Sequence, residues 1–171
     1  TPDLRLPKVA REACAPLTAA LAEATLPADL ADAIRAAYHD LHARCAGDLV
    51  AAARSSALSE DAAAASSAGV YETYLNLRDE AAVLDAVLRC YRSLWAPRAV
   101  QYRAFRGVNS AQEAMAVVVM QMVEADVSGV AFTVNPITGD RGQIVINASW
   151  GLGEAIVSGR VTPDQFLVDK A

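Results

Sequence analysis

Two glycine-rich loops between short β-forming runs constrain the fold of this chain more than any other feature. The first loop lies between Asn135 and Gly142, and the second lies between Ala148 and Glu154. Each carries charged residues beside its glycines, and a sheet with such loops can present backbone N–H groups to an anion. The pattern therefore predicts a protein that binds phosphate.

Four apolar, β-branched runs in the second half of the chain predict four strands, at 116–123, 127–134, 143–147 and 161–168. The segment Glu124 to Asp126 is predicted to be a hairpin-like joint between the first two strands. A helical turn from Glu154 to Ser158 is predicted before Gly159. We therefore expect one mainly antiparallel, four-stranded sheet.

The first half of the chain has helical periodicity instead. Apolar residues at three-to-four spacing predict an amphipathic helix from Pro27 to about Ala53. Asp79 stands where an N-cap belongs, Pro97 interrupts the helix that follows, and Gly107 ends its continuation. Helices followed by a separate run of strands indicate an α+β fold. We expect a helical part with the phosphate-loop region at 1–107 and a β-sheet lobe at 108–171.

Length and charge limit the classes of function. With 171 residues, 54% of them hydrophobic, the chain can bury the core of one domain. A formal net charge of −5 argues against a protein that follows a nucleic-acid backbone. The longest apolar run, 114–123, is too short to cross a bilayer, and the first residues do not resemble a signal peptide. We expect neither nucleic acid nor membrane as a partner.

The cysteines and histidines suggest no metal site. Cys14, Cys45 and Cys90 are odd in number and widely spaced, which indicates neither a disulfide framework nor a zinc site and favours a cytoplasmic protein. His39 and His42 lie three residues apart in the predicted first helix, with no cysteine beside them. They are interpreted as surface or packing residues.

Arg54 is the first candidate for phosphate binding. Its guanidinium is permanently charged and can bind phosphate oxygens in a fork, and Ser55 and Ser56 stand beside it. The alternative is an arginine at the end of the predicted helix that compensates the helix dipole. The residues alone leave both interpretations open.

The small-residue segment from Ser66 to Tyr74 is the second candidate. Gly69 can adopt a positive φ and lets the backbone approach a ligand, whereas the alternative is an ordinary connecting loop. No P-loop pattern is present, because no Gly-Lys-Ser/Thr follows.

Glu154 and the two tryptophans carry weaker signals. A carboxylate at Glu154 could bind a metal, but a glutamate in the first turn of a helix is more often a partner of the helix dipole. Trp95 and Trp150 are either core residues or flat surfaces for a ligand.

Several segments, taken in order, resemble the nucleotide-binding domain of the phosphoenolpyruvate synthase, pyruvate phosphate dikinase and rifampicin phosphotransferase family. The resemblance runs from about Arg54 to Lys170. The segments that carry it are Arg54 to Ala57, Ser59 to Asp61, Ala65 to Gly69, Glu72 to Asn76, Asp126 to Phe132, Asn135 to Arg141, Ala148 to Glu154, and Pro163 with Asp164.

The resemblance implies an ATP-grasp fold that holds ATP and Mg²⁺ between two lobes. In that family ATP gives its β-phosphate to a histidine on a separate domain, which passes it to pyruvate, rifampicin or another acceptor. It implies that Arg54 contacts the phosphates, that Gly69, Thr73 and Tyr74 belong to the loop over them, and that position 120 lines the adenine. Phosphoryl transfer needs positioning and neutralisation of charge more than covalent chemistry from the protein, which agrees with these roles.

The chain departs from the family pattern at two positions, and two family segments are expected outside the given residues. Met120 and Val70 stand where glutamine is usual. The ATP-binding lysine of the family is expected before residue 1, and its metal-binding glutamate and Gln-Ser-Arg-Pro motif are expected after Lys170. We therefore expect no complete catalytic set in this chain and no turnover by it alone. The alternative is a non-catalytic nucleotide-binding or interaction module derived from the family.

Overall fold

The computed structural model describes residues 2–58 and 70–170, apart from the side chain of Ala111. These residues divide into two compact units, Thr1–Met122 and Val123–Ala171, which we call the first and second unit. No helix among the described residues is long and apolar enough to cross a membrane.

The first unit combines four helices with a three-stranded antiparallel sheet. The helices are α1 (Pro7–Ala22), α2 (Ala28–Ala43), α3 (Glu80–Ser93) and α4 (Pro97–Arg106), and a 3-10 turn covers Ser110–Gln112. The strands are β1 (Ala51–Ala57), β2 (Thr73–Leu77) and β3 (Met115–Gln121), in the order β2-β1-β3.

The predicted ends of α3 and α4 are confirmed. The Asp79 carboxylate caps α3 by accepting the Ala82 N–H at 2.7 Å. Pro97 occupies the first turn of α4, where its missing N–H costs nothing, and Gly107 ends that helix with a φ of 67°.

The predicted helix from Pro27 to Ala53 is wrong in its second half. Helix α2 ends at Ala43, and Ala51 begins the central strand β1. Three consecutive alanines favour a helix by propensity, but here they are buried at the centre of a sheet, and tertiary packing overrides the propensity. The alternative in which Arg54 compensates a helix dipole is therefore also wrong.

The core of the first unit lies between one face of this sheet and helices α2 and α3. Small side chains of β1 let α3 approach closely, and burial of the apolar surface between them stabilises the arrangement. The buried members of this core are Tyr38, Leu49, Ala51, Ala53, Leu77, Val83, Ala86, Val87 and Cys90. The other face of the sheet is therefore the one left for a ligand.

The second unit is an antiparallel meander. Its strands are β4 (Val127–Phe132), β5 (Gln143–Trp150) and β6 (Asp164–Asp169), in the order β4-β5-β6, and the short helix α5 (Glu154–Val157) precedes β6. Gly129 of β4 is needed at its position, because a Cβ there would lie 3.0 Å from the Asn147 carbonyl oxygen.

The α+β class and the antiparallel pairing are confirmed, but the single four-stranded sheet is wrong. Strand β3 pairs with β1 along its whole length, from Ala51 opposite Gln121 to Ala57 opposite Met115, and β4 pairs with β5 instead. The segment 124–126 is therefore not a hairpin joint. Periodicity identifies strands, but it does not determine which strands pair when they are distant in the sequence.

Replacement of Asp79 by Ala tests the cap of α3. We expect the free energy of unfolding to fall by about 1 kcal/mol, since the Ala82 N–H loses its acceptor. Calorimetric unfolding of wild type, Asp79→Ala and Asp79→Asn measures the effect, and the asparagine variant should remain close to wild type. An alanine variant with unchanged stability would show that the cap contributes nothing.

Candidate functional site

The open face of the first sheet brings together three of the residues predicted to bind the nucleotide. Arg54 lies directly opposite Thr73 of β2 and Val118 of β3, and Met120 lies opposite Ala52. Directly opposed residues of antiparallel strands share a face. The exposed members of this open face are Arg54, Ser56, Thr73, Ala116, Val118 and Met120.

Arg54 is the one charged side chain that the three strands contain. No described residue forms an ion pair or hydrogen bond with its guanidinium, whereas many other arginines of the described chain have such partners, for example Arg35, Arg89, Arg92, Arg98 and Arg103. A guanidinium without a protein partner has five N–H donors available for an anion.

Polarity changes across the open face. Strand β3 supplies an apolar side with Met120 and Val118, which are 38% and 44% exposed, and β1 and β2 supply a cationic and hydroxyl-bearing side with Arg54, Thr73 and Ser56. Met120 and Arg54 are offset by two residues, about 7 Å along the strands. A ligand with a flat apolar group joined to an anion matches this order.

The ring of Tyr74 lies on the opposite face. Tyr74 pairs with Ala53 and packs against the core, and the guanidinium carbon of Arg89 lies 4.1 Å from the ring centroid. A register shift between Ala51 and Ala53 keeps both Tyr74 and Leu77 on this covered face. Burial also raises the pKa of the Tyr74 phenol. The structure therefore does not bring the Tyr74 side chain together with Arg54 and Thr73.

Gly69 and the serines before it lie outside the described residues. The description resumes at Val70, three residues before Thr73. The role of Gly69 stays a prediction.

The first glycine-rich loop of the second unit uses its N–H groups internally. The Asn135 side-chain oxygen accepts the N–H groups of Ile137 and Thr138, and its main-chain carbonyl accepts that of Gly139 at 2.8 Å. Asp140 accepts the Gly142 N–H at 2.7 Å. The prediction that this loop offers its N–H groups to an anion is wrong, because they stabilise the turn itself.

Glu154 does not belong to a metal-binding cluster. Its carboxylate lies 3.5 Å from the guanidinium of Arg160, and both side chains are largely exposed. Within 2–58 and 70–170, no group of three or more His, Cys, Asp or Glu side chains could hold a metal ion. His39 contacts Glu80 at 3.0 Å on the surface of the helices. Among the tryptophans, Trp150 is 81% exposed, and Trp95 packs beside the guanidinium of Arg103.

Two features of the open face were not apparent from the sequence. The apolar run 117–119 is typical of a buried strand, but the period-two alternation of β3 leaves Val118 exposed beside Arg54. Ser55 and Ser56 also face opposite sides, and only Ser56 shares the face of Arg54. The period-two alternation of side chains in a strand is the signal that could have found both.

Residues 6–171 match the family described as the pyruvate phosphate dikinase AMP/ATP-binding domain. The chain belongs to this family. It is 48% identical over 146 residues to the phosphoenolpyruvate synthase of Pyrococcus furiosus, a match that covers 85% of the chain and 18% of the relative. The probable phosphoenolpyruvate synthase of Staphylothermus marinus is 41% identical over 171 residues, which covers 98% of the chain and 20% of the relative.

A relative that is named for a different activity is equally similar. The prodigiosin synthesizing transferase PigC of Serratia marcescens is 49% identical over 149 residues, which covers 86% of the chain and 16% of the relative. The chain thus spans about a fifth or less of the length of these curated relatives. The part that matches this chain is therefore one portion of a longer protein in each of these relatives.

Replacement of Arg54 by Lys in the full-length protein tests the cation of the open face. Lysine keeps the charge but loses the fork geometry, so we expect the dissociation constant for ATP to rise about tenfold, equivalent to about 1.4 kcal/mol. Isothermal titration calorimetry measures the change. Arg44→Lys, at an exposed arginine after α2, is the matched control and should bind ATP as wild type does. Equal affinities for all three proteins would exclude Arg54 from the site.

Proposed function

We propose that the open face of the first sheet binds ATP within an ATP-grasp domain. The phosphates lie at Arg54 and Thr73, and the adenine lies against Val118 and Met120. The observation that supports this most strongly is Arg54, a cation with no partner among the described residues, directly opposite Thr73 in a chain of an ATP-binding family. The same proposal includes two finer points. The domain has a helical part with the phosphate-loop region at 1–107 and a β-sheet lobe at 108–171, and Gly69 belongs to the loop that covers the phosphates.

We propose further that the full-length protein is a phosphotransferase. Transfer of the β-phosphate of ATP to a histidine on another domain breaks its bond to the α-phosphate and releases AMP, and water takes the γ-phosphate as inorganic phosphate. The phosphohistidine then passes its phosphate to pyruvate, rifampicin or a similar acceptor. The names phosphoenolpyruvate synthase and prodigiosin synthesizing transferase among the relatives support a transferase, and their difference leaves the acceptor open. The residues of this chain contribute binding and charge neutralisation, which are the larger part of catalysis in phosphoryl transfer.

Magnesium normally accompanies ATP in such reactions, because it neutralises the phosphate oxygens. The three strands of the open face contain no carboxylate, and Glu154 is paired with Arg160. We therefore assign the metal no ligand among the described residues. Neutralisation at the open face is assigned to Arg54 alone.

Met120 and Val70, where the family usually has glutamine, favour a second candidate. It is a non-catalytic nucleotide-binding or interaction module derived from the family. A nucleotide-binding module would keep ATP at the open face as the phosphotransferase does, so binding of ATP alone does not identify the phosphotransferase. Transfer of phosphate to a histidine separates the two candidates.

Incubation of the full-length protein with ATP labelled in the β-phosphate separates the two functions. A phosphotransferase should acquire acid-labile, base-stable label on a histidine, and Arg54→Lys should acquire it more slowly. The isolated 171-residue chain should acquire none. Binding of ATP without label on the full-length protein would favour the non-catalytic module.

Replacement of Met120 by Gln tests the adenine end of the open face. Glutamine can form a hydrogen bond with the purine edge, whereas methionine offers only a polarisable apolar surface. We expect the preference for ATP over GTP to increase about fivefold, equivalent to about 1 kcal/mol. Competitive titration with both nucleotides measures the ratio, and a Val123→Gln variant, at an exposed residue of the second unit, is the control. An unchanged ratio in a stably folded Met120 variant would place residue 120 away from the base.

A further inference from the structure

Helix α4 holds the two residues before Thr73 through two arginines. Nη1 of Arg103 donates a hydrogen bond to the Tyr71 hydroxyl at 3.3 Å. The Arg98 guanidinium forms an ion pair with the Glu72 carboxylate. Tyr71 and Glu72 are thereby tied to α4 by side chains that lie five residues apart on that helix.

Arg103 is a rigid attachment point. It is fully buried at 0% exposure, and no carboxylate among the described residues pairs with it. Nε and Nη2 also donate, to the Ser110 hydroxyl at 3.0 Å and to the Leu94 carbonyl at 2.6 Å. The guanidinium carbon also lies 5.7 Å from the centroid of the Trp95 ring. Burial, three hydrogen bonds and this ring together hold the side chain in one position.

The main chain of Glu72 is fixed from the other side by β1 and α3. Its carbonyl accepts the Ser55 hydroxyl at 3.0 Å and the Ser55 N–H at 3.4 Å. Burial raises the pKa of Cys90 to about 11, so that thiol stays protonated and donates to the same carbonyl at 3.8 Å. Glu72 is therefore held between Ser55, which follows Arg54, and helix α4.

We propose that Arg98 and Arg103 are positioning residues for the ATP site. They fix Tyr71 and Glu72, and through them the backbone of Thr73 against Arg54, in the geometry that receives the phosphates. This inference rests on the proposed function of the open face. Neither arginine lies on that face, and both act through the segment that enters β2.

Glu72→Gln in the full-length protein distinguishes positioning from simple electrostatics. Removing a negative charge near the phosphates should strengthen ATP binding if only charge matters. Positioning predicts the opposite sign, a rise of about threefold to tenfold in the dissociation constant, because the ion pair with Arg98 is lost. Glu80→Gln is the matched control: Glu80 is paired with Arg35, and its side chain is 36% exposed against 40% for Glu72.

Two further variants extend the test. Arg98→Glu combined with Glu72→Arg reverses the ion pair, and recovery of part of the lost affinity supports positioning. Tyr71→Phe removes only the hydroxyl that Arg103 contacts, and it should also weaken ATP binding. The control is Tyr91→Phe, at a tyrosine of α3 that packs against the core, and it should not weaken ATP binding.

Calorimetric titration with ATP and thermal unfolding, carried out together on all variants, decide the outcome. Reduced affinity in Glu72→Gln and Tyr71→Phe, larger than in their controls at equal melting temperature, supports the proposal. Reduced melting temperature with wild-type affinity, or tighter binding in Glu72→Gln, overturns it. If wild type does not bind ATP, or Arg54→Lys equals wild type, the proposed function of the open face fails instead.

Discussion

The first unit depends on strand β1, whose two faces have opposite requirements. Its covered face must let α3 approach, and Ala51 and Ala53 satisfy that requirement with the smallest side chains that still bury apolar surface. Its open face carries Arg54, which needs solvent or an anion. Because β1 is the central strand and is paired on both sides, neither face can shift register without moving the other. The position of Arg54 is therefore fixed by the packing behind it.

That coupling explains why the candidate site lies on a sheet and not in a loop. Side chains on a paired central strand are held more firmly than side chains on a loop, and a phosphate site gains from donors that are already in place. Thr73 and Met120 derive their positions from the same strand, through hydrogen bonds on either side of it. The segment before Thr73 contacts α4 through the pairs Glu72 with Arg98 and Tyr71 with Arg103.

Local features of this fold could be predicted from the sequence, whereas non-local pairings could not. Asp79, Pro97 and Gly107 act on the residues next to them, and the structure confirms the helix ends that they predict. The pairing of β3 with β1 joins residues about sixty positions apart, and neither strand carries a local signal that identifies its partner. The alanines of β1 were misassigned for a related reason: their strand conformation comes from burial under α3, not from their own propensity.

The geometry of the turns explains the glycines of the second unit. Gly139 and Gly151 have φ values of 74° and 78°, so each is required by a turn whether or not a ligand is nearby. Asn135, which is buried, then collects the N–H groups of the first turn, and the Lys170 ammonium donates to the carbonyls of Thr133 and Arg141 at its ends. A glycine-rich loop binds an anion only if its N–H groups are left free, and here the same residues that make the loop recognisable satisfy those groups. The chain belongs to an ATP-binding family, and the candidate phosphate contact that we propose among the described residues is an arginine on a strand.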